Sequence, residues 1–462
     1  MLHQHFLLSR KNKIVALTGC AIIILSVVLW RVYQVTRRHP IPTCGDCNVV
    51  FVSFDTLRAA NVHTLGYTRN TTPTLDSLAE HGFTFTNDIS VTSWTLPSTM
   101  SWFTGVYPSQ HKVLNTVTVQ KNGQEIDTSL PTLSPNMKTL AQVLQSRGWR
   151  TGGFTGGSGV DHKFGFDQGF DAYTEDPPFG GFRQSIPKAL SWIQANKEDK
   201  LFIFLHGYDV HGQYVPPDGY DRRFVDFNYK GLLTGSAKEQ KDLREEGITR
   251  NHIFLTPDDV RFLVALYDEK IQRADAEFKK FLDAYGSFNV KHKTIFIISA
   301  DHGEEFYEHG NIDHGHSLYD ELLRVPLFII LPGMKQGIRI NSQVRSIDLM
   351  PTILDLLGVP KTDPIWKQLQ GQSLRKTMEG DTTGFDVYPE TDYRYAVSLR
   401  GLRTTSGWKL IKDYKNNLEE LYHVAVDPKE QNNLSKKESY WLPTLKRQLD
   451  TYIWGSPSPT GK

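Results

Sequence analysis

Four residues have the types needed to hydrolyse an ester at a bound cation, and three of them end or closely follow short apolar runs. Asp55 closes NVVFVSF, Asp301 and His302 lie just beyond TIFIIS, and Thr95 stands in SWTLPST. Carboxylates offer hard oxygen ligands and imidazole a borderline nitrogen. Such a set suits a divalent metal that deprotonates a hydroxyl and neutralises a transferring group. Thr95 carries such a hydroxyl. If Pro97 opens a helix, Thr95 sits just before its N-terminus, where unpaired N–H groups and the helix dipole favour an anion. Simple helix capping is the plain alternative for this threonine. Six histidines crowd into HGYDVHG and DHGEEFYEHGNIDHGH: His206, His211, His302, His309, His314 and His316. These clusters suit metal and anion binding without singling out one reaction.

Chemistry at these positions needs a scaffold that brings them together. Residues 48–54, 201–205, 294–299 and 326–331 read as short buried strands. Residues 74–81, 97–104, 137–147, 257–284 and 346–357 read as helices. The alternation predicts an α/β layered fold with a mostly parallel central sheet. Ligands in such folds gather beyond the carboxyl ends of the strands, where Asp55 and the Asp301–His302 pair lie. Residues 213–249 read as a polar, aromatic loop. Beyond about residue 384 the texture changes to short antiparallel strands at 393–399, 401–405 and 408–413, with a closing helix at 440–452. The expected division is a catalytic domain over 48–383 and a small antiparallel C-terminal subdomain over 384–462.

The chain has 52 Lys plus Arg against 51 Asp plus Glu, a formal charge of +1. With no basic tract, nucleic acid is not an expected partner. Residues 14–30 carry no charge over a length of about 25 Å as a helix, near the short end for crossing a bilayer. A buried core helix and a cleaved signal peptide are the alternatives weighed. The expectation is a single-pass anchor after a basic segment at 1–13, with the catalytic domain outside the cytoplasm. Residues 31–47 then form a linker holding Cys44 and Cys47, whose C-x-x-C spacing suits a small disulfide in an oxidising compartment.

Taken in order, several segments resemble the sulfatase branch of the alkaline phosphatase superfamily. They include NVVFVSFDTLRAANVHTLGYTRNTTPTLDSLAEHGFTF, SWTLPSTMSWFTGVYPSQHKV, FIFLHGYDVHGQYVPP, ISADHGEEFYEHG, HGHSLYDELLRVPLFI, SIDLMPTILDLLGVP and ELYHVAVDPKEQNNL. The resemblance covers roughly residues 48–434 and implies an alkaline-phosphatase-like fold. It implies that Asp55, Asp301 and His302 bind metal, that Thr95 holds the nucleophile position, and that His211 faces the substrate. His314 or His316 falls where sulfatases carry a lysine that grips the ester; His111 is a further candidate. Three departures bear on the chemistry. The nucleophile position of sulfatases is a Cys or Ser converted to formylglycine, but Thr95 carries a methyl where the aldehyde needs hydrogen. The arginine position is Thr99. The usual pair of aspartates is Asp55–Thr56.

The expected activity is therefore a metal-dependent hydrolase or transferase acting on phosphate esters through a covalent threonine intermediate. Thr95 would join Asp55, Asp301 and His302 at one divalent metal, Mn²⁺ or Zn²⁺ in preference to Ca²⁺ because of the imidazole. His211 with His314 or His316 would complete the catalytic set, and Thr99, His111 and His206 are candidate substrate-binding residues. The substrate would be a phosphate or sulfate ester, lipid-linked or glycan-linked. Sulfate-ester hydrolysis without formylglycine is the first alternative, and an inactive membrane-tethered binding protein the second.

Overall fold

Alternate side chains of the NVVFVSF run bury on opposite faces of one sheet, and the two main cores of the protein are built around that alternation. The computed structural model describes residues 40–115, 120–121, 124–125, 131–212, 214, 223–250, 253–393 and 397–454. The strands of the main sheet are β1 (Asn48–Phe54), β2 (Phe83–Ile89), β3 (Arg150–Phe154), β4 (Ala172–Thr174), β5 (Leu201–Gly207), β6 (Thr294–Ser299), β7 (Arg324–Ile330), β8 (Ile338–Ile340) and β9 (Val344–Arg345). Their spatial order is β8-β2-β7-β6-β1-β5-β3-β4, with β9 also on β2. Only β7 runs against its neighbours, pairing antiparallel with β2 and β6; the sheet is mostly parallel, as expected.

Val49 and Phe51 of β1 point into a core shared with Leu96, Met100, Trp102 and Phe103. Val50, Val52 and Phe54 point into the other, with Phe182, Phe278 and Phe281. Burial on both faces is what a continuous apolar strand requires. The longer helices are α1 (Pro73–Ala79), α2 (Thr95–Thr104), α3 (Leu140–Gln145), α4 (Phe182–Ala195), α5 (Ala237–Arg250), α6 (Pro257–Ser287) and α7 (Leu349–Leu356), followed by the C-terminal α8 (Trp441–Trp454); α2, α4 and α6 supply the core residues just named. The sheet β10 (Glu390–Thr391), β11 (Leu399–Arg403), β12 (Trp408–Asp413) and β13 (Leu418–His423) is antiparallel throughout.

Several expectations are corrected. Residues 213–249 are not all loop, because α5 occupies part of them. The helix read over 137–147 begins only at Leu140, where Thr139 caps it by accepting from the Gln142 N–H at 3.1 Å. The strand read over 393–399 starts at Leu399. The single-pass anchor, and the location outside the cytoplasm argued from it, are withdrawn. Among the described residues no helix is long and apolar enough to cross a membrane, and residues 14–30 lie outside them. Cys44 and Cys47 are joined by a disulfide just ahead of β1.

Candidate active site

The parallel strands deliver the polar residues to one edge. Asp55 directly follows β1, His206 lies on β5 opposite Ser53 of β1, and Asp301 follows β6. The N-terminus of α2 enters the same space. Trp94 is the N-cap and its side chain accepts no capping hydrogen bond, and Thr95 is the first residue of the helix rather than the residue before it. The capping reading of Thr95 fails for that reason. Its hydroxyl lies 3.2 Å from Asp55 Oδ2 and 3.2 Å from His302 Nε2. Ser98, one turn on, donates to the carbonyl of Asp301 at 2.6 Å and ties α2 to the end of β6.

Asp55, Asp301 and His302 are fully buried, with ligand atoms within 4.8 Å of one another. Asp301 Oδ1 accepts from the Thr56 and His302 N–H groups at 3.1 and 3.0 Å. Asp55 Oδ1 and Asp301 Oδ2 have no hydrogen-bond donor. Burial, and then the adjacent Asp301, push Asp55 well above the usual carboxylate range. Burial raises Asp301 too, but His302, His206 and the two N–H donors outweigh it and hold its carboxyl low. His302 Nδ1 donates to the Gly303 carbonyl at 2.8 Å, which leaves the Nε2 lone pair facing Thr95 and the carboxylates. Two unpartnered carboxylate oxygens beside a neutral imidazole nitrogen fit a divalent cation, which would relieve their mutual repulsion.

His314 sits beyond His302, with ring centroids 4.5 Å apart, and His211 lies 5.0 Å beyond His314. Nδ1 of His314 is 2.9 Å from Glu304 and 2.8 Å from Asp313. Burial disfavours its charge, but Asp313 and Glu304 overcome this and keep it an imidazolium far above the ordinary range. Asp313 is itself held by Arg244 at 3.0 Å and Gln240 at 3.2 Å. His211 is the opposite case: burial and the neighbouring His314 lower it to about 3, so it stays neutral. Lys270 of α6 donates to the His211 carbonyl.

Of the remaining expected residues, His316 pairs with Glu305 at 2.7 Å, so His314 is the histidine whose ring meets His302 and His211. His111 is not free to meet a substrate. Its Nε2 contacts Ser101 Oγ and the Pro97 carbonyl, both at 3.2 Å, while Nδ1 accepts from Val113 N–H at 3.1 Å. Burial lowers it to about 3. His206 is buried behind the acids, with Nε2 3.3 Å from Asp55 Oδ2, and burial lowers it to about 4. Thr99 lies one turn after Thr95 with a buried hydroxyl that has no partner. Tyr208, Gly159, Glu304, Asp313 and Lys270 were not anticipated. Tyr208 stands inside HGYDVHG, and Glu304 and Asp313 inside the second histidine-rich run. Gly159 is so close that a Cβ there would meet Thr95 Cβ at 2.9 Å.

A family profile described as Sulfatase matches residues 47–359. The chain belongs to the sulfatase family. The N-sulphoglucosamine sulphohydrolase C-terminal profile matches residues 307–453 of this sulfatase-family protein. A Δ4,5-hexuronate-2-O-sulfatase of Bacteroides thetaiotaomicron is 24% identical over 446 residues, with 88% of each chain covered. Arylsulfatase K of Rattus norvegicus is 22% identical, covering 88% of this chain and 78% of its own. The fold matches a protein solved with its substrate D-glucosamine-2-N,6-O-disulfate at TM-score 0.68 and 19% identity, covering 88% of this chain and 97% of that one. It also matches the phosphonate monoester hydrolase of Agrobacterium radiobacter at TM-score 0.66 and 17% identity, covering 88% and 95%. The protein is thus an ester hydrolase of the alkaline-phosphatase-like superfamily, of the sulfuric or phosphoric type.

Proposed function

We propose that this sulfatase-family protein hydrolyses a sulfuric ester, with unmodified Thr95 as nucleophile and one divalent cation held by Asp55, Asp301, His302 and the Thr95 oxygen. The observation that carries the reading is the position of Thr95 Oγ1, 3.2 Å from both Asp55 Oδ2 and His302 Nε2 at the start of a buried helix. A cation in this place would lower the hydroxyl pKa and neutralise charge on the ester oxygens. The imidazole among the ligands favours Mn²⁺ or Zn²⁺. The N-terminal N–H groups of α2 favour the negative charge that develops at Thr95. The Thr95 hydroxyl proton passes to Asp55 Oδ2, which already accepts it at 3.2 Å, and as Oγ bonds to sulfur the bond from sulfur to the leaving oxygen breaks. His314 has Nδ1–H committed to Glu304 and Asp313, so Nε2–H is the proton it gives to the leaving alcohol. Threonine has no geminal hydroxyl with which to expel sulfate, so water must open the sulfo-threonine by attack at sulfur.

Sulfate takes precedence over the phosphate expected from the sequence because the curated relatives are named as sulfatases. A phosphate ester is the second reading, and Thr95 itself favours it: a phosphothreonine is opened by water at phosphorus without any modified side chain.

The test is to load the protein with Mn²⁺ or Zn²⁺, supply matched aryl sulfate and aryl phosphate, quench in acid and map the peptides. The expected result is faster sulfate turnover and a sulfate adduct on the Thr95 peptide. Thr95→Ala should lose about a thousandfold or more in kcat, and Thr95→Ser should retain measurable turnover. A phosphate adduct with faster phosphate turnover hands the case to the second reading. Full activity in Thr95→Ala would defeat both.

A further inference from the structure

One arginine outside the chemistry above has no counter-charge. Arg324 opens β7 opposite Ile89 of β2. It is half-buried, and its Nε is closed off from solvent with no acceptor in reach. Among the described residues it makes no ion pair and no side-chain hydrogen bond. The obvious partner is Asp320, four residues earlier at the start of the short helix Asp320–Leu323. Its oxygens are taken: Oδ1 accepts from Arg403 Nε at 3.1 Å and from Lys409 Nζ at 2.8 Å, and Oδ2 accepts from Arg403 at 2.8 Å. A guanidinium stripped of water and left unmatched is strongly unfavourable unless an anion joins it.

The charges around Arg324 deepen the imbalance. Burial pulls its guanidinium below the ordinary arginine value; Asp320 opposes this, and Arg403, Arg339 and Arg58 add to it. Arg403 and Lys409 are matched by Asp320 and Glu430, and Arg58 by Glu308 at 2.7 Å. Arg58 reaches the same corner: a Cβ on Gly303 would lie 3.3 Å from Arg58 Cβ and 2.0 Å from the carbonyl oxygen of Glu321, three residues before Arg324. Arg339 of β8 is exposed, donates to the Thr64 carbonyl at 2.8 Å and has no ion pair among the described residues. The charges of Arg324 and Arg339 are thus left over, and an excess of two suits a dianion better than a single carboxylate. Contact with the catalytic site is indirect and runs through Ser90, whose N–H donates to the Leu323 carbonyl at 2.7 Å and whose Oγ donates to the Asp301 carbonyl at 2.6 Å.

We infer that Arg324 anchors a second anion site, separate from the Thr95 centre, and that its ligand is a free tetrahedral dianion, phosphate or sulfate, with Arg339 and Arg58 adding attraction. The planar guanidinium fork offers parallel donors to two oxygens of such an ion. Nη1 and Nη2 keep contact with solvent while Nε does not, so a small ion can reach the fork, whereas a half-covered side chain leaves little room for a larger molecule. The site goes beyond the ester-hydrolase reading and does not depend on it, because Arg324 makes no hydrogen bond to Thr95 or to the metal-ligand set.

Two readouts on the full chain test it, both with EDTA present so that the catalytic centre is free of metal. The first is the melting temperature in chloride and in about 20 mM phosphate or sulfate at equal ionic strength. The parent should gain about 2–4 °C from either dianion. Arg324→Met should melt no lower than the parent in chloride, since it removes an unmatched charge, and should gain nothing from phosphate. Arg324→Lys keeps the charge without the fork and should respond less than the parent. The second readout is titration calorimetry with inorganic phosphate: the binding heat should persist in Thr95→Ala and vanish in Arg324→Met. Glycerol phosphate should bind about threefold or more weakly than phosphate; equal binding keeps the oxyanion site and gives it to a phosphate ester instead of the free ion. The same phosphate response in Arg324→Met as in the parent overturns the site. A heat lost in Thr95→Ala but kept in Arg324→Met assigns the ion to the catalytic centre and overturns it too. An Arg324→Met protein that melts well below the parent in chloride shows that the charge is already matched, with the same consequence.

Discussion

Gly159→Ala adds one methyl group against the nucleophile position, and its consequence can be worked out from contacts. The new Cβ would lie 2.9 Å from both Cβ and Cγ2 of Thr95 and 3.3 Å from Tyr208 Oη. Carbon atoms at their best separation sit about 3.5–4.0 Å apart, so the overlap is roughly 0.6 Å or more. Backbone cost does not confuse the result, since Gly159 is not among the positive-φ glycines. Its N–H donation to Tyr208 Oη at 3.0 Å is available to alanine as well. Tyr208 in turn donates to the Gly157 carbonyl at 2.9 Å, and Val160 is fully buried, so the turn carrying residue 159 resists moving. Thr95 must give way. Displacing a reacting group by something approaching 1 Å costs about a hundredfold in rate, or about 2.7 kcal/mol of barrier. The assay is kcat and KM for an aryl ester: kcat should fall about a hundredfold while the melting temperature stays close to that of the parent. Thr95→Ser removes Cγ2, one of the two clashing atoms, and keeps the hydroxyl. The double variant should therefore lose less than the product of the two single losses, by about 1 kcal/mol or more of coupling. Undiminished kcat in Gly159→Ala, or strictly multiplicative losses in the double variant, would refute the contact argument.

Asp301→Asn should remove most of the bound divalent metal, measured by elemental analysis of purified protein, because it takes away charge where Asp55 already has an unpartnered oxygen. Lys409→Met should destabilise the fold by about 3–5 kcal/mol in urea titration. It leaves Asp320 and Glu430, each 2.8 Å from a fully buried Nζ, without their shared cation, and the Arg403 partner of Asp320 at 2.8 Å places the value toward the lower end. His309 gives a pH signature. Burial lowers it, but its hydrogen bond and attraction to Glu321 prevail and raise it to about 9. The stability it supplies is fully present below about pH 6.5 and is lost as pH rises through about 9. Linkage sets a ceiling near 3 kcal/mol, and since burial raises Glu321 as well, the measured difference should fall below it. Urea midpoints of the parent and His309→Gln should converge between pH 7 and 10; a gap that persists at pH 10 counts against this pairing.

What the sequence made legible follows the range of the forces involved. The strand runs at 48–54, 201–205 and 294–299 were readable because a strand buried on both faces is apolar along its own length, a local fact. The same locality put Asp55 and Asp301 at the carboxyl edge before any contact was known. The helix read over 97–104 begins two residues earlier, at Thr95, because a proline at the third helical position looks the same in sequence as one at the first. The histidines divide in ways no spacing reveals. His111 and His314 both lie in polar, histidine-bearing stretches, but one is saturated by Pro97 and Val113 and the other is charged by Asp313 and Glu304. What separates them is which side chains arrive from other elements. Counting histidines alone also passed over the carboxylates that give His314 its charge, although Glu304 and Asp313 stand in the same run. Gly159 left even less trace. A glycine in GGSG reads as a turn, and only the meeting of that turn with α2 brings it against Thr95. In this fold the candidate metal ligands are written at strand ends and can be read one strand at a time. The shape of the space around the substrate is written across segments far apart in the chain, and it becomes readable only once they are packed.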